Sequence, residues 1–195
     1  AKPICIFPAR DGRVYEMRKT ELGVFVTPTD HVRELSEVRA GFMPALPRIP
    51  YGMMSQIMAF FRHFAAQAHP LEVLVQVYWD TQQRKFLTVV PHQKVSGTKI
   101  VVSRSAQLQL DEQRFYYYAD LHSHNVMPAY FSAEDDQDER ATRLYIVAGR
   151  LHQATPELRA RISNGGKFMN VPVEQVAEVY PACFPHHWLA SVTAI

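Results

Sequence analysis

Apolar positions along this chain follow two rhythms, and the first long stretch with a period near 3.6 is residues 53–68, MMSQIMAFFRHFAAQA. Met54, Ile57, Met58, Phe61 and Phe64 fall at the i, i+3, i+4, i+7 spacing of one helical face, which predicts an amphipathic helix buried on that side. Its Met and Phe stripe is core packing rather than a ligand groove. Pro70 disfavours helical geometry in the residue before it, so the helix is expected to stop at HPLE. Upstream, ICIF, RVYEM and LGVFV are short strand candidates, with Asp11-Gly12 a turn between the first two. The segment GFMPALPRIPYG then packs Pro44, Pro47 and Pro50 too closely for a regular helix or a central strand. It is expected to join a small β-rich extension, residues 1–50, to a main domain, residues 51–195.

After the helix the rhythm changes to period two. EVLVQVYWD and KFLTVVP, rich in Val and aromatics and joined by TQQR, predict a hairpin. KIVVS is a further strand candidate. RFYYYADLHSH is another, and its alternation points Leu121 and Ser123 to one face and His122 and His124 to the other. A helix signal at 132–140 precedes the strand RLYIVAGRL, and ELRARIS and KFMNVP form a hairpin over Asn164-Gly165-Gly166. One helix, a run of strands, a second helix and more strands argue for an α+β domain, not a doubly wound βαβ fold.

Composition narrows the function classes. The apolar share of 47% is ordinary for a globular chain. A net charge of +2 with no basic stripe argues against nucleic acid as a partner. Cys5 and Cys183 belong to no C-x-x-C pair and make no disulfide framework, which suits a reducing cytoplasm. The first residues lack the apolar core of a signal peptide, and no apolar run approaches the roughly 20 residues that span a bilayer. The expectation is a cytoplasmic protein without membrane or nucleic-acid partners.

Candidate chemistry concentrates in ADLHSHNVMPAYFSAEDDQDE, residues 119–139. Residues i and i+2 on a strand share a face, so His122 and His124 can offer imidazole nitrogens to one ion. Asp135, one turn into the following helix, can add a carboxylate. Three such ligands leave a fourth tetrahedral position for water, as in catalytic zinc sites. The plainer account is a histidine-bearing strand followed by a capped helix, with Ser132 capping free amides and Asp135 three positions on. The joint spacing His-x-His-x7-Ser-x2-Asp should arise by chance on the order of once in a thousand such chains. Other candidates are weaker. His186 and His187 are adjacent and point apart on a strand. His69, His92 and His152 have no partner at ligand spacing, and the H-E-x-x-H and P-C-x-x-C signatures are absent. The run EDDQDE lacks the spaced oxygens and glycine of a calcium loop and suits an acidic helix N-terminus.

The stretch HSHNVMPAYFSAED resembles the JAMM motif of the MPN-type zinc metalloproteases, and its wording is similar to a bacterial JAB-domain branch found beside ubiquitin-activation-like enzymes. The resemblance covers about residues 50–150. It implies an MPN/JAB-like, cytidine-deaminase-like fold: a curved mixed β-sheet flanked by helices, here with a β-rich preface. It implies one Zn2+ per chain held by His122, His124 and Asp135, and Ser132 hydrogen-bonding the carbonyl that becomes an oxyanion. It also implies a glutamate general base where the first helix gives way to the sheet, a place occupied by Glu72; Glu21, Glu34 and Glu37 are its rivals. The implied substrate is the C-terminal tail of a ubiquitin-like protein or a peptide, with an E1-like enzyme as operon partner. Two departures stand out: Asn125 follows the second histidine where the family usually has proline, and no glycine-bearing stretch follows Glu72. The expected activity is zinc-dependent amide or isopeptide hydrolysis. The alternatives are a non-catalytic MPN-like scaffold and a phage- or plasmid-associated structural peptidase.

Overall fold

Strands expected from period-two alternation assemble into a mixed sheet whose neighbours run β11-β10-β9-β8-β4-β5. They are β4 (Leu74–Asp80), β5 (Lys85–Val89), β8 (Phe115–Ser123), β9 (Arg143–Gly149), β10 (Glu157–Asn164) and β11 (Lys167–Val171). Each neighbouring pair is antiparallel except β8 and β9, which run parallel. A parallel pair needs a crossover, and this one, residues 124–142, contains α2 (Ala133–Asp138). The computed structural model describes residues 4–32, 35–102 and 110–179. Glu34, Cys183, His186 and His187 lie outside the described residues, as does the last residue of KIVVS.

The two faces of the sheet differ in chemistry. Val73, Val75 and Val77, Ala119 and Leu121, and Leu144, Ile146 and Ala148 alternate onto one face and join a single apolar core. Helix α1 (Tyr51–Ala65) adds Met54, Ile57, Phe61 and Ala65 to that core. The intervening residues Gln76, Asp120, His122, Arg143 and Tyr145 face a cavity instead. Helix α1 ends earlier than its apolar period suggests. The Phe64 carbonyl accepts N–H groups from both Gln67 and Leu71, which turns the chain out of the helix before residue 68.

Contacts divide the chain into two units, Ala1–Ala40 and Gly41–Ile195. The first is an antiparallel meander of β1 (Ile4–Pro8), β2 (Val14–Thr20) and β3 (Gly23–Thr29). Its first turn uses Gly12 at φ 79°, with the Asp11 carboxylate accepting from Arg13 N–H and Tyr15 Oη–H. In the second unit Ile49 is fully buried, exchanging backbone hydrogen bonds with Val176 and Glu178 at the end of α3 (Val173–Val176). A short hairpin, β6 (Gln93–Val95) and β7 (Ile100–Val102), completes this unit. This is an α+β fold with a mixed central sheet and few helices. Among the described residues, no helix is long and apolar enough to cross a membrane.

Candidate metal centre

The β4–β8 register positions the site. Leu74 pairs with His122, and the next step is closed twice: Ser123 N–H donates to the Val73 carbonyl and Val73 N–H donates to Ser123 Oγ, each at 3.0 Å. Glu72, the residue before Val73, lines the same cavity as His124. Ser123, fully buried, therefore fixes the approach of the glutamate segment to the histidine strand. No motif singles it out, but its place between two facing histidines marks it as the residue that points inward.

The imidazoles converge. Nε2 of His122 and Nε2 of His124 lie 3.2 Å apart, and Asp135 presents Oδ1 to the first at 3.6 Å and Oδ2 to the second at 3.9 Å. All three ligand atoms can be chosen within 4.8 Å of one another. Zinc ligands about 2.0–2.1 Å from a tetrahedral ion stand roughly 3.3 Å apart, close to these separations. Two imidazoles and a carboxylate form a donor set that suits zinc. Burial pushes His122 down to about 4, despite the nearby Asp135, and also lowers His124. Both rings are therefore neutral at pH 7, the form that ligates a metal. Edge-on contacts support them: Tyr130 against His124 and Phe131 against His122. The residues present fit a zinc ion.

Asp135 is aimed by a capping box. Ser132 N–H donates to Asp135 Oδ2 at 2.6 Å, Ser132 Oγ–H donates to the same oxygen at 2.7 Å, and Asp135 N–H donates back to Ser132 Oγ at 3.2 Å. The cap uses the same residues that would supply the carboxylate ligand, so the two accounts of Ser132 and Asp135 are compatible. Glu72 is buried and lines the same cavity, and burial, followed by the charges of Asp135 and Glu134, pushes its carboxyl up to about 8. Glu21 and Glu37 fall in the first unit.

This cavity, about 870 Å3, gathers Glu72, His122, His124, Ser132 and Asp135 along the polar face of the sheet. The β6–β7 hairpin forms its rim. Gln93 pairs its amide with both backbone groups of Leu74, Ser96 C=O accepts from Glu72 N–H, and Lys99 pairs with Glu134 at 2.9 Å. Asn125 adds a tie through Nδ2–H to Gly97 C=O at 2.9 Å. Among the described residues, a second and larger hollow of about 940 Å3, between α1 and β10, is lined by one carboxylate, Glu174, and by no histidine.

A buried network that the motif does not reveal lies behind His122. Glu139 and Arg161 are both buried, and Arg161 donates through Nε and Nη2 to Glu139 Oε2 at 2.9 and 2.7 Å. Arg161 also pairs with Asp136 and is sandwiched between the rings of Phe131 and Phe168, 4.0 and 3.9 Å from their centroids. Burial pushes Glu139 up to about 8, opposed by the Arg161 guanidinium. Arg161 comes 22 residues after Glu139 and from another element, which leaves no spacing signal to find.

Comparison with protein families finds one described as prokaryotic homologs of the JAB domain, whose model matches residues 54–163, more than half of the chain. Comparison with curated proteins finds no match.

Proposed function

This chain belongs to the prokaryotic homologs of the JAB domain, and we propose that it is a zinc-dependent hydrolase of amide or isopeptide bonds. The observation that carries this reading is the convergence of His122, His124 and Asp135 in the cavity that also holds Glu72 and Ser132. His122, His124 and Asp135 would hold the ion. Zinc seated there supplies Lewis acidity and lowers the pKa of a water toward about 7. A cation held there would favour the ionised form of Glu72, against the burial and carboxylate charges that raise its pKa. Glu72 would then accept a proton from the attacking water and deliver it to the leaving amine. Ser132 would turn its hydroxyl hydrogen from Asp135 toward the developing oxyanion, while its backbone N–H keeps hold of the carboxylate.

The substrate we propose is the extended C-terminal tail of a ubiquitin-like protein or a peptide, added as a strand near the β6–β7 rim. An E1-like enzyme would be its functional partner, and the cytoplasm its compartment.

Elemental analysis of purified protein tests the metal, and cleavage of a reporter amide that follows a Gly-Gly tail tests the reaction. We expect one zinc per chain, lost in His122→Ala and Asp135→Ala. Glu72→Gln should keep zinc and fold while turnover falls by about two to four powers of ten. Zinc with no turnover on any tail would favour a scaffold. Absence of zinc from the parent protein under metal supplementation would remove the hydrolase reading.

A further inference from the structure

The Nδ1 atom of His122 faces away from the other ligands, toward Glu139. Its distance to Glu139 Oε1 is 3.6 Å, slightly longer than a formed hydrogen bond. The two oxygens of Glu139 are divided between neighbours: Oε2 accepts both Arg161 hydrogen bonds, leaving Oε1 for the imidazole. Arg161 cannot swing away easily, because Phe131 and Phe168 enclose its guanidinium and Asp136 holds its third nitrogen. The carboxylate is thus clamped at the back of a ligand histidine by a residue from the far strand β10.

We propose that Glu139 is a positioning residue of the metal centre, holding His122 as the Nδ1–H tautomer with its Nε2 lone pair aimed at the ion, and that Arg161 fixes Glu139 in that role. The inference rests on the assignment of His122 as a zinc ligand, and it extends that assignment to two residues outside the motif. An imidazole ligates through one nitrogen only if the proton resides on the other, so an acceptor at Nδ1 presets the ring for binding. The same contacts stand where helix α2 ends: Glu139 leaves helical geometry, at φ −84° and ψ 46°, and its side chain bonds Arg161 and faces His122 Nδ1.

The test is nitrogen NMR of 15N-histidine-labelled, metal-free protein, together with zinc affinity measured by chelator competition. In the parent protein His122 is expected to carry its proton on Nδ1. In Glu139→Gln, Arg161 claims the amide oxygen, which turns the amide NH2 toward Nδ1. A donor now faces the ring, so the population should shift to the Nε2–H tautomer and zinc affinity should fall about 10–100-fold. A parent with its proton on Nε2, as a protonated Glu139 donating to Nδ1 would produce, overturns the proposal without any variant. Unchanged tautomer and affinity in a folded Glu139→Gln variant also overturn it, since a merely structural Glu139 would alter stability alone. A parent that shows the Nδ1–H tautomer but never binds zinc would leave the Glu139 contact standing and remove the zinc reading instead.

Discussion

Asn125 carries its backbone at φ 49°, in the left-handed region that asparagine tolerates and proline, locked near −65°, cannot enter. Asparagine here therefore permits a turn that proline could not take: Met127 N–H closes it onto the His124 carbonyl at 2.8 Å, and the Asn125 amide reaches Gly97. Ser132 serves two purposes, and they separate under substitution. Ser132→Ala removes the cap accepted from Asp135 N–H and one of two donors to Asp135 Oδ2, but retains the backbone donor. Denaturant melts should show a loss of about 1 kcal/mol. Zinc content should remain at one per chain, and turnover should drop about a hundredfold or more if the hydroxyl also serves the oxyanion. Stability loss with full turnover would limit Ser132 to the cap. At this scale the convergence of the four motif residues on one cavity was legible, because a strand and a helix start lie within fourteen positions of each other. Glu139 and Arg161 were not, because their partnership is created by folding β10 back along β9.

Elements were legible where one face is apolar and the period is clear: the β4–β5 and β10–β11 hairpins form where their patterns place them, and α1 forms there too but stops at Ala65, short of the end its period suggests. The three-residue strand β6 carries too little pattern to declare itself, and the parallel pairing of β8 with β9 depends on the crossover, not on either strand's own sequence. That crossover imposes a requirement at the end of β9. A Cβ built on Gly149 would lie 2.3 Å from Ala129 N, 2.4 Å from Pro128 C and 2.5 Å from Met127 O, all backbone atoms of the segment linking His124 to Ser132. Only glycine lets this segment lie against the strand. Gly149→Ala should therefore displace residues 127–129, with a destabilisation of about 2 kcal/mol or more by urea melting. Zinc affinity should fall with it, because the displaced segment carries Tyr130 and Phe131 toward the two imidazoles. A variant with parental stability would show that the segment has room to move.

For the whole molecule, truncation decides where the unit that carries the candidate metal centre begins. The proline-rich stretch 41–50 suggests a joint ending at 50, while contacts divide the chain after Ala40. Two truncations distinguish these limits. Removal of residues 1–40 leaves Ile49 in place, fully buried, with its N–H donating to Val176 C=O and its C=O accepting from Glu178 N–H, both at 2.9 Å. Removal of residues 1–50 strips out that side chain and both hydrogen bonds, leaving Val176 C=O and Glu178 N–H without those partners. Burying an isoleucine contributes about 1.5–3 kcal/mol and each such bond about 1 kcal/mol, so the longer truncation should cost roughly 3–5 kcal/mol. The shorter one should change the denaturation midpoint little and retain one zinc per chain, since the proposed ligands and the core that supports their sheet lie beyond residue 40. Equal stability of the two truncated proteins would place the functional start at 51. Loss of zinc from the shorter truncation would instead mean that the β1–β3 meander supports the metal centre, and the ligand set would have to be sought across both units.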